Sequence, residues 1–317
     1  MNRIIDWATL TGEQAAALYD EQTRAWNGSL GWDLTPSWAV VERARAAGAL
    51  AGRVCMNARG AIVGWTFFMR QADVLQIGAL SGRGASPVRA LLESILDAPE
   101  AAGARELTCL LYPAPANVLS ALARRRFDLQ ALHYLTRPAG AGAEGAAAPE
   151  AVSIRRWTDD DAVACVRILA RAYGRSQSGR GLAPNGTIDE WAHYLRQVLR
   201  TPACGTLVPR ASYVAEERDT GAIVGFVLAT AVGQETAHVA QLAVDPSWMR
   251  RGIGRALLAA CGKAASSGGF RTTTLLVGGE NDAASRLYAS AGFGESGRMV
   301  FASRSMPVRR QSQSRAA

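Results

Sequence analysis

Lysine is almost missing from this 317-residue chain: Lys263 is the one lysine among 35 basic residues, and the rest are arginine. Arginine suits planar, two-pronged contact with phosphate and carboxylate, but a bias this general is also what GC-rich codon usage produces. With 27 acidic residues the net charge is +8. No arginine-rich stretch is interleaved with aromatics as a stacking groove would require, so the charge does not point to a nucleic-acid partner. Histidine is scarce as well, at His133, His193 and His238, and no metal site is expected. The five cysteines, Cys55, Cys109, Cys165, Cys204 and Cys261, are scattered without a C-x-x-C pair. That argues against a disulfide framework or a zinc site and for the reducing cytoplasm. No apolar run approaches the about 18 residues of a membrane span, and the N-terminus, MNRIIDWATLTGEQ, has acids but no apolar core of a signal peptide. Neither membrane nor secretion is expected.

What is present is an ordinary globular profile, 49% hydrophobic and 20% charged, long enough for about two domains at roughly 150 residues each. Residues 138–151, beginning PAGAGAEGAAAPE, hold no large apolar side chain and read as a linker. The expected organisation is a first domain over 1–137, a second over 152–306 and a basic polar tail over 307–317.

An internal echo supports two related domains. GAIVG occurs at Gly60–Gly64 and Gly221–Gly225, each time before an aromatic and apolar stretch, and RALL occurs at Arg89–Leu92 and Arg255–Leu258. The first fits a glycine-bearing hairpin turn entering a buried strand, the second an apolar helix. In the second half, strands are expected at Ser153–Arg156, Ser212–Glu216, Ile223–Thr230, His238–Val244, Thr272–Val277 and Arg298–Arg304. Helices are expected at Asp159–Ala172, Ile188–Arg200, Gly252–Ser266 and Asp282–Ala291. Strands mixed with helices of this length imply an α/β fold.

The chemistry concentrates in HVAQLAVDPSWMRRGIGRALLAAC, His238–Cys261. An apolar strand ends at Asp245-Pro246, and a loop with Arg250, Arg251, Gly252 and Gly254 enters a helix. Glycines at a helix entrance admit close approach of a ligand, and the free N–H groups there suit a phosphate or pyrophosphate. A tight strand-to-helix connection with no ligand stands as the alternative. The loop is neither a Walker A loop nor a full G-x-G-x-x-G, because Leu257 occupies the third glycine position. Further on, Asn281 and Tyr288 in NDAASRLYASAGF are seven residues apart and share a helix face. Gly292 closes that helix and Phe293 returns to the core.

RRGIGRALL followed by N-x-x-A-x-x-x-Y-x-x-x-G-F resembles the GNAT superfamily of acyl-CoA-dependent N-acyltransferases over about Ile154–Ser305. The resemblance implies tandem mixed sheets, each mostly antiparallel, twisted and flanked by helices. It implies that Arg250, Arg251, Gly252, Ile253, Gly254 and Arg255 hold the pyrophosphate of acetyl-CoA. Leu242, Ala243 and Val244 would pair with the pantetheine arm and polarise the thioester carbonyl. Asn281 and Ala284 would line the cofactor arm, and Tyr288 would protonate the departing thiolate. One departure is Met249, where the family usually has Gln or Arg. Counting eleven back from Met249, the place of a catalytic Glu in some members, lands on His238. Its near-neutral titration makes it a candidate base, with Glu235 as the fallback and local strand pairing as the alternative.

Aligning the RALL echoes places Ser86-Pro87-Val88 opposite Gly252-Ile253-Gly254. Aligning Phe127 with Phe293 places Pro115, Leu122 and Arg126 opposite Asn281, Tyr288 and Gly292. The first half is therefore expected to be a degenerate copy, with Trp26, Trp32, Trp38 and Trp65 packing its core. Arg175 and Arg180, in the loop Tyr173–Gly186, hint at an acceptor bearing carboxylate or phosphate, with ordinary surface arginines as the favoured alternative. The expected activity is transfer of acetyl from acetyl-CoA to a primary amine of a small molecule by direct attack, in a monomer or homodimer without a metal. The alternatives are a non-catalytic acyl-CoA sensor and a protein N-terminal or lysine acetyltransferase.

Overall fold

The structure is a computed structural model and describes residues 2–141, 147–174, 179 and 181–306. In chain order it contains β1 (Arg3–Asp6), α1 (Gly12–Leu30), α2 (Thr35–Ala46), β2 (Ala51–Met56), β3 (Ile62–Gln71), β4 (Val74–Gly82), α3 (Ala85–Leu96), β5 (Glu106–Leu111), α4 (Ala116–Arg124) and β6 (Asp128–Pro138). The second half follows with β7 (Val152–Arg156), α5 (Ala162–Tyr173), α6 (Ile188–Arg200), β8 (Thr206–Leu207), β9 (Tyr213–Glu217), β10 (Ile223–Ala231), β11 (Thr236–Val244), α7 (Ile253–Ser267), β12 (Thr272–Gly278), α8 (Asp282–Ser290) and β13 (Gly294–Ser305).

The chain forms two compact units. One comprises the residues up to Leu18, Val40–Ala131 and those from Met299; the other comprises Tyr19–Ala39 and Leu132–Arg298. Neither ends at the boundary expected near residue 138. Pro138 is the last residue of β6 and sits opposite Thr272 on β12, so the strand reaches one residue into the segment expected to be a linker. Part of it, residues 142–146, and the tail 307–317 lie outside the described residues. The strands also trade places. The Leu132–Pro138 part of β6 pairs with β12 in the second unit, while Val300–Ser305 of β13 pairs with β5 in the first. Alternation within a strand fixes which face it buries but does not name its neighbour.

In the second unit the sheet runs β6, β12, β11, β10, β9, β7, with β8 also on β10. All neighbours are antiparallel except β11 and β12. β10, IVGFVLATA, is almost wholly buried, as a central strand covered on both faces should be. Val227 and Ala229 enter the core beneath α7, and Phe226 and Leu228 enter the core beneath α5 and α6. α7 contributes Ile253, Leu257, Cys261 and Ala265, a stripe at successive turns that is at most 1% exposed. Each fully buried side chain of leucine size contributes about 1.5–3 kcal/mol. α6 is set by a Thr187–Glu190 capping box.

Helix α5 starts later than expected. Its acidic first turn, Asp159–Asp161, is a 3-10 turn held by Thr158 and Asp161, and the regular helix begins at Ala162. Strand β11 begins two residues before His238, so that residue is inside the strand and not at its start.

The first unit repeats the plan in the order β1, β2, β3, β4, β5 and then the end of β13. Both GAIVG echoes are hairpin turns, with Gly60 at φ 77° and Gly221 at φ 70°. The deeper likeness is in the strands. β4 and β5 run parallel only from Val74 opposite Glu106 to Ile77 opposite Cys109. β11 and β12 likewise pair only from Thr236 opposite Thr272 to Val239 opposite Leu275. Just beyond, each first-named strand carries a bulge against its other neighbour, at Gly78 and at Ala240. A ladder that stops and a bulge that twists the strand away open a wedge in the sheet.

Candidate active site

The expected residues of the second unit lie on β11, the loop that follows it, α7 and α8. The N–H of Asp245 donates to the Val224 carbonyl at 2.8 Å, which fixes the alternation along β11: Ala243 turns its backbone groups toward β10. Those of Leu242 and Val244, in the intervening pairs, turn toward the wedge. Ala243 is buried and the other two are half-buried. Two strand residues therefore offer peptide groups to an extended ligand.

The loop after β11 is anchored at Asp245. Burial alone would raise this carboxyl, but hydrogen bonds from Ser247 and Arg171 hold it below its ordinary value. Its Oδ1 accepts from the Ser247 N–H (3.0 Å) and hydroxyl (2.6 Å), and its Oδ2 accepts from Arg171 (2.9 Å). Arg250 (φ 62°) and Gly252 (φ 85°) both take the left-handed conformation. Gly252 is the N-cap of α7, and a Cβ on it would meet nothing within 4 Å, so the space beside the loop is open. The first-turn N–H groups of Ile253, Gly254 and Arg255 have no carbonyl one turn earlier in the helix to bond. With the helix dipole they form an anion cradle. Ile253 takes part through its backbone alone, because its side chain is 1% exposed in the core.

The arginines separate. Arg251 folds back, its guanidinium 4.6 Å from the Trp248 ring centre and donating to the Ser247 carbonyl. Arg255 donates to Ser290 on α8, and Arg250 is exposed. Met249, 45% exposed, offers no charge. Arg175 and Arg180 lie outside the described residues.

Asn281 is the N-cap of α8, its Oδ1 accepting from the Ala284 N–H at 3.1 Å, which leaves its amide hydrogens as donors. Ala284 is half-buried against the core. Tyr288 is 8% exposed and meets Phe293 edge-on at 6.0 Å. Burial, with Tyr173 nearby, pushes its phenol above the ordinary range, so it is a proton donor at neutral pH.

His238 is enclosed inside the second unit. It is 4% exposed, enclosed by Trp32 at 4.9 Å edge-on and Tyr134 at 6.3 Å stacked, with Nδ1 2.9 Å from the Thr274 hydroxyl. Burial pushes its pKa down to about 3. The ring is therefore neutral from mildly acidic pH upward and is a poor proton acceptor. The fallback fares no better: Glu235 pairs with Arg271 at 3.1 Å before the first residue of β11, at the strand end far from the loop. Counting along the sequence found the strand position, but burial by Trp32, from a distant segment, was invisible to it. We expect His238→Gln to leave kcat within about 3-fold, with the pH profile between 5 and 8 unchanged. A loss above about 10-fold with a displaced acid limb in steady-state kinetics would restore the base role.

Three residues at the wedge were not foreseen: Tyr173, Tyr194 and Gln241. The sequence signal was Gln241 itself, a large polar residue in the otherwise apolar run VAQLAV. Trp26, Trp32 and Trp38, expected in the core of the first half, belong to the second unit, and only Trp65 packs in the first.

The first unit keeps the frame with other residues at the corresponding positions. Pro115 and Asn281 are both N-caps of their helices, Leu122 is fully buried where Tyr288 stands, and Arg126 holds φ 61° where Gly292 holds 84°. The expected alignment at the helix entrance is shifted. α3 starts at Ala85 behind Gly84 (φ 106°), so a glycine does stand at this entrance, and Pro87 removes one N–H from the first turn. Asn117 donates to the Gly82 carbonyl at 3.0 Å, occupying a strand-end acceptor.

A wedge opened by a bulge and followed by a glycine-entered helix defines the GNAT class of fold. Residues 209–295 match the acetyltransferase (GNAT) domain. Among solved structures, a GCN5-related N-acetyltransferase from Sphaerobacter thermophilus aligns with a TM-score of 0.66 at 17% identity, over 96% of this chain and 95% of that one. A tandem GNAT protein from the clavulanic acid biosynthesis pathway gives a TM-score of 0.60 at 16% identity, over 97% and 99%. A glucosamine N-acetyltransferase region of a fungal multi-domain β-N-acetylglucosaminidase gives 0.63 at 14%, over 96% of this chain and 38% of that one. At these identities the likeness concerns the fold. No curated protein sequence matches significantly. Among the described residues no cluster of metal-ligating side chains occurs, and no helix is long and apolar enough to cross a membrane.

Proposed function

We propose that the second unit transfers an acetyl group from acetyl-CoA to the primary amine of a small molecule. The observation that carries this is the wedge itself. The reading is supported by strand peptide groups at Leu242 and Val244 that face the wedge, by the cradle of Gly252–Arg255 at the entrance of the next helix, and by the buried phenol of Tyr288. The acyl thioester is consumed and is thus a substrate, supplying an activated acyl carbon. The cradle and Arg250 hold the pyrophosphate through N–H groups and charge. Leu242 and Val244 orient the arm, and a strand N–H polarises the carbonyl. Asn281 and Ala284 border the arm.

The amine attacks the acyl carbon directly. Its extra proton passes to water, because the two side-chain bases foreseen, His238 and Glu235, are buried neutral or set apart. Tyr288 gives its proton to the departing sulfur. The first unit serves as scaffold.

Thiol release from acetyl-CoA across a panel of primary amines tests this. Amine-dependent release is the expected result. Acetyl-CoA binding by calorimetry without turnover on any amine would instead identify an acyl-CoA sensor.

A further inference from the structure

Three side chains from three elements form a directed hydrogen-bond chain at the bulge of β11. The Tyr194 hydroxyl, on α6, donates to Gln241 Oε1 at 2.8 Å. Gln241 Nε2 donates to the Tyr173 oxygen at 2.9 Å and lies 3.3 Å from the Leu242 carbonyl. A carbonyl only accepts, so the amide is oriented with Nε2 toward it. Gln241 is 5% exposed, with both ends of its amide partnered. The Tyr173 oxygen therefore receives a hydrogen bond, and its own hydrogen has the Leu242 carbonyl at 3.5 Å as its partner, a weak contact at the limit of hydrogen bonding. Tyr173, at the end of α5, thus presents an underused O–H at the strand residue whose backbone faces the wedge. Burial raises its phenol, and the bond from Gln241 lowers it only in part, so the proton stays on the oxygen.

We propose that Tyr173 is a second oxyanion donor for acyl transfer, aimed by Gln241 and Tyr194. This rests on the acyl-transfer function proposed above and adds a named group to it. As the amine nitrogen bonds to the acyl carbon, the carbonyl π pair moves to oxygen, and the Tyr173 O–H leaves its long contact with Leu242 to hydrogen-bond that oxygen without giving up its proton. When the C=O re-forms, the C–S pair leaves with sulfur, which takes a proton from Tyr288, and the proton from nitrogen goes to water. A donor fixed before the charge appears costs little reorganisation. In the first unit the bulge-strand position matching Gln241 is Ala79, one residue beyond bulged Gly78, so this device is confined to the unit that keeps the tyrosine at the α8 position.

The test is steady-state thiol release by the full chain. Tyr173→Phe is expected to lower kcat by about 100-fold with KM for acetyl-CoA within about 3-fold, because the donor acts only when charge develops. Gln241→Met keeps the hydroxyl but removes its aim, and an intermediate loss of about 10-fold is expected, with Tyr194→Phe smaller still. A purely structural role would instead shift Tm and KM together. An active wild type whose Tyr173→Phe and Gln241→Met variants both keep kcat within about 2-fold overturns this role and leaves acyl transfer standing. A wild type that releases no thiol with any amine overturns both.

Discussion

Tyr288→Phe should lower kcat for acetyl transfer by about 100- to 10,000-fold, the range for removing a positioned acid, while acetyl-CoA still binds in calorimetry. The ring fills the same space against Phe293, 6.0 Å away, so packing survives and only the proton is lost. The direction of the pKa shift matters here. Burial holds the phenol above its ordinary value of about 10, so the group remains a donor through neutral and mildly alkaline pH. The wild-type rate should therefore show no alkaline fall due to Tyr288 below about pH 10. A Tyr288→Phe enzyme with unchanged kcat would remove it from the mechanism, whatever its place in the fold.

A loss of about 3 kcal/mol in unfolding free energy is expected for Arg137→Ala, within the range for breaking a buried polar network and leaving a cavity. Arg137 is 2% exposed and forms no ion pair with a carboxylate among the described residues. It donates to the Ala291 carbonyl at the end of α8 (2.8 Å) and to the Leu258 carbonyl of α7 (3.2 Å), and it lies 4.5 Å from the Phe293 ring centre. The carbonyl that ends α8, a carbonyl within α7 and a π face compensate the charge, although burial still lowers its pKa, with Cys261 opposing in part. Gly262 makes room for it: a Cβ there would stand 2.4 Å from Nη2. Truncation to alanine empties this space and strands the α8 carbonyl. At about 2–4 °C per kcal/mol the transition should fall by roughly 6–12 °C. Arg137→Met, which refills the space with apolar atoms, should lose clearly less. Equal losses in thermal melts would show that volume has no part in it.

Much of the second unit was legible because its signals are local. Glycine turns, an apolar strand, a glycine-entered helix and an asparagine cap each sit within a dozen residues, and the structure places them within a residue or two of expectation. What escaped is non-local. Nothing in LHYLTRP says that Arg137 will point between two helices more than a hundred residues later. Gln241 was visible as an oddity in its strand, but its partners arrive from α5 and α6. His238 is a second case: its spacing could be counted, but the Trp32 ring that packs on it comes from a distant segment. The strand partners of β6 and β13 were likewise beyond reach, since a buried alternating strand fits more than one neighbour.

The exchange of β6 and β13 has a consequence for how the chain comes into being. Ala302, fully buried among the side chains of the first unit, follows the whole of the second unit along the chain, so the first unit stays one strand short until the second has been made. Its β5 edge, ELTCLL, is left open for that period, an exposed ladder of the kind that invites wrong partners. The first unit is thus finished by a strand that follows the second, and neither half of the sequence is a separable part.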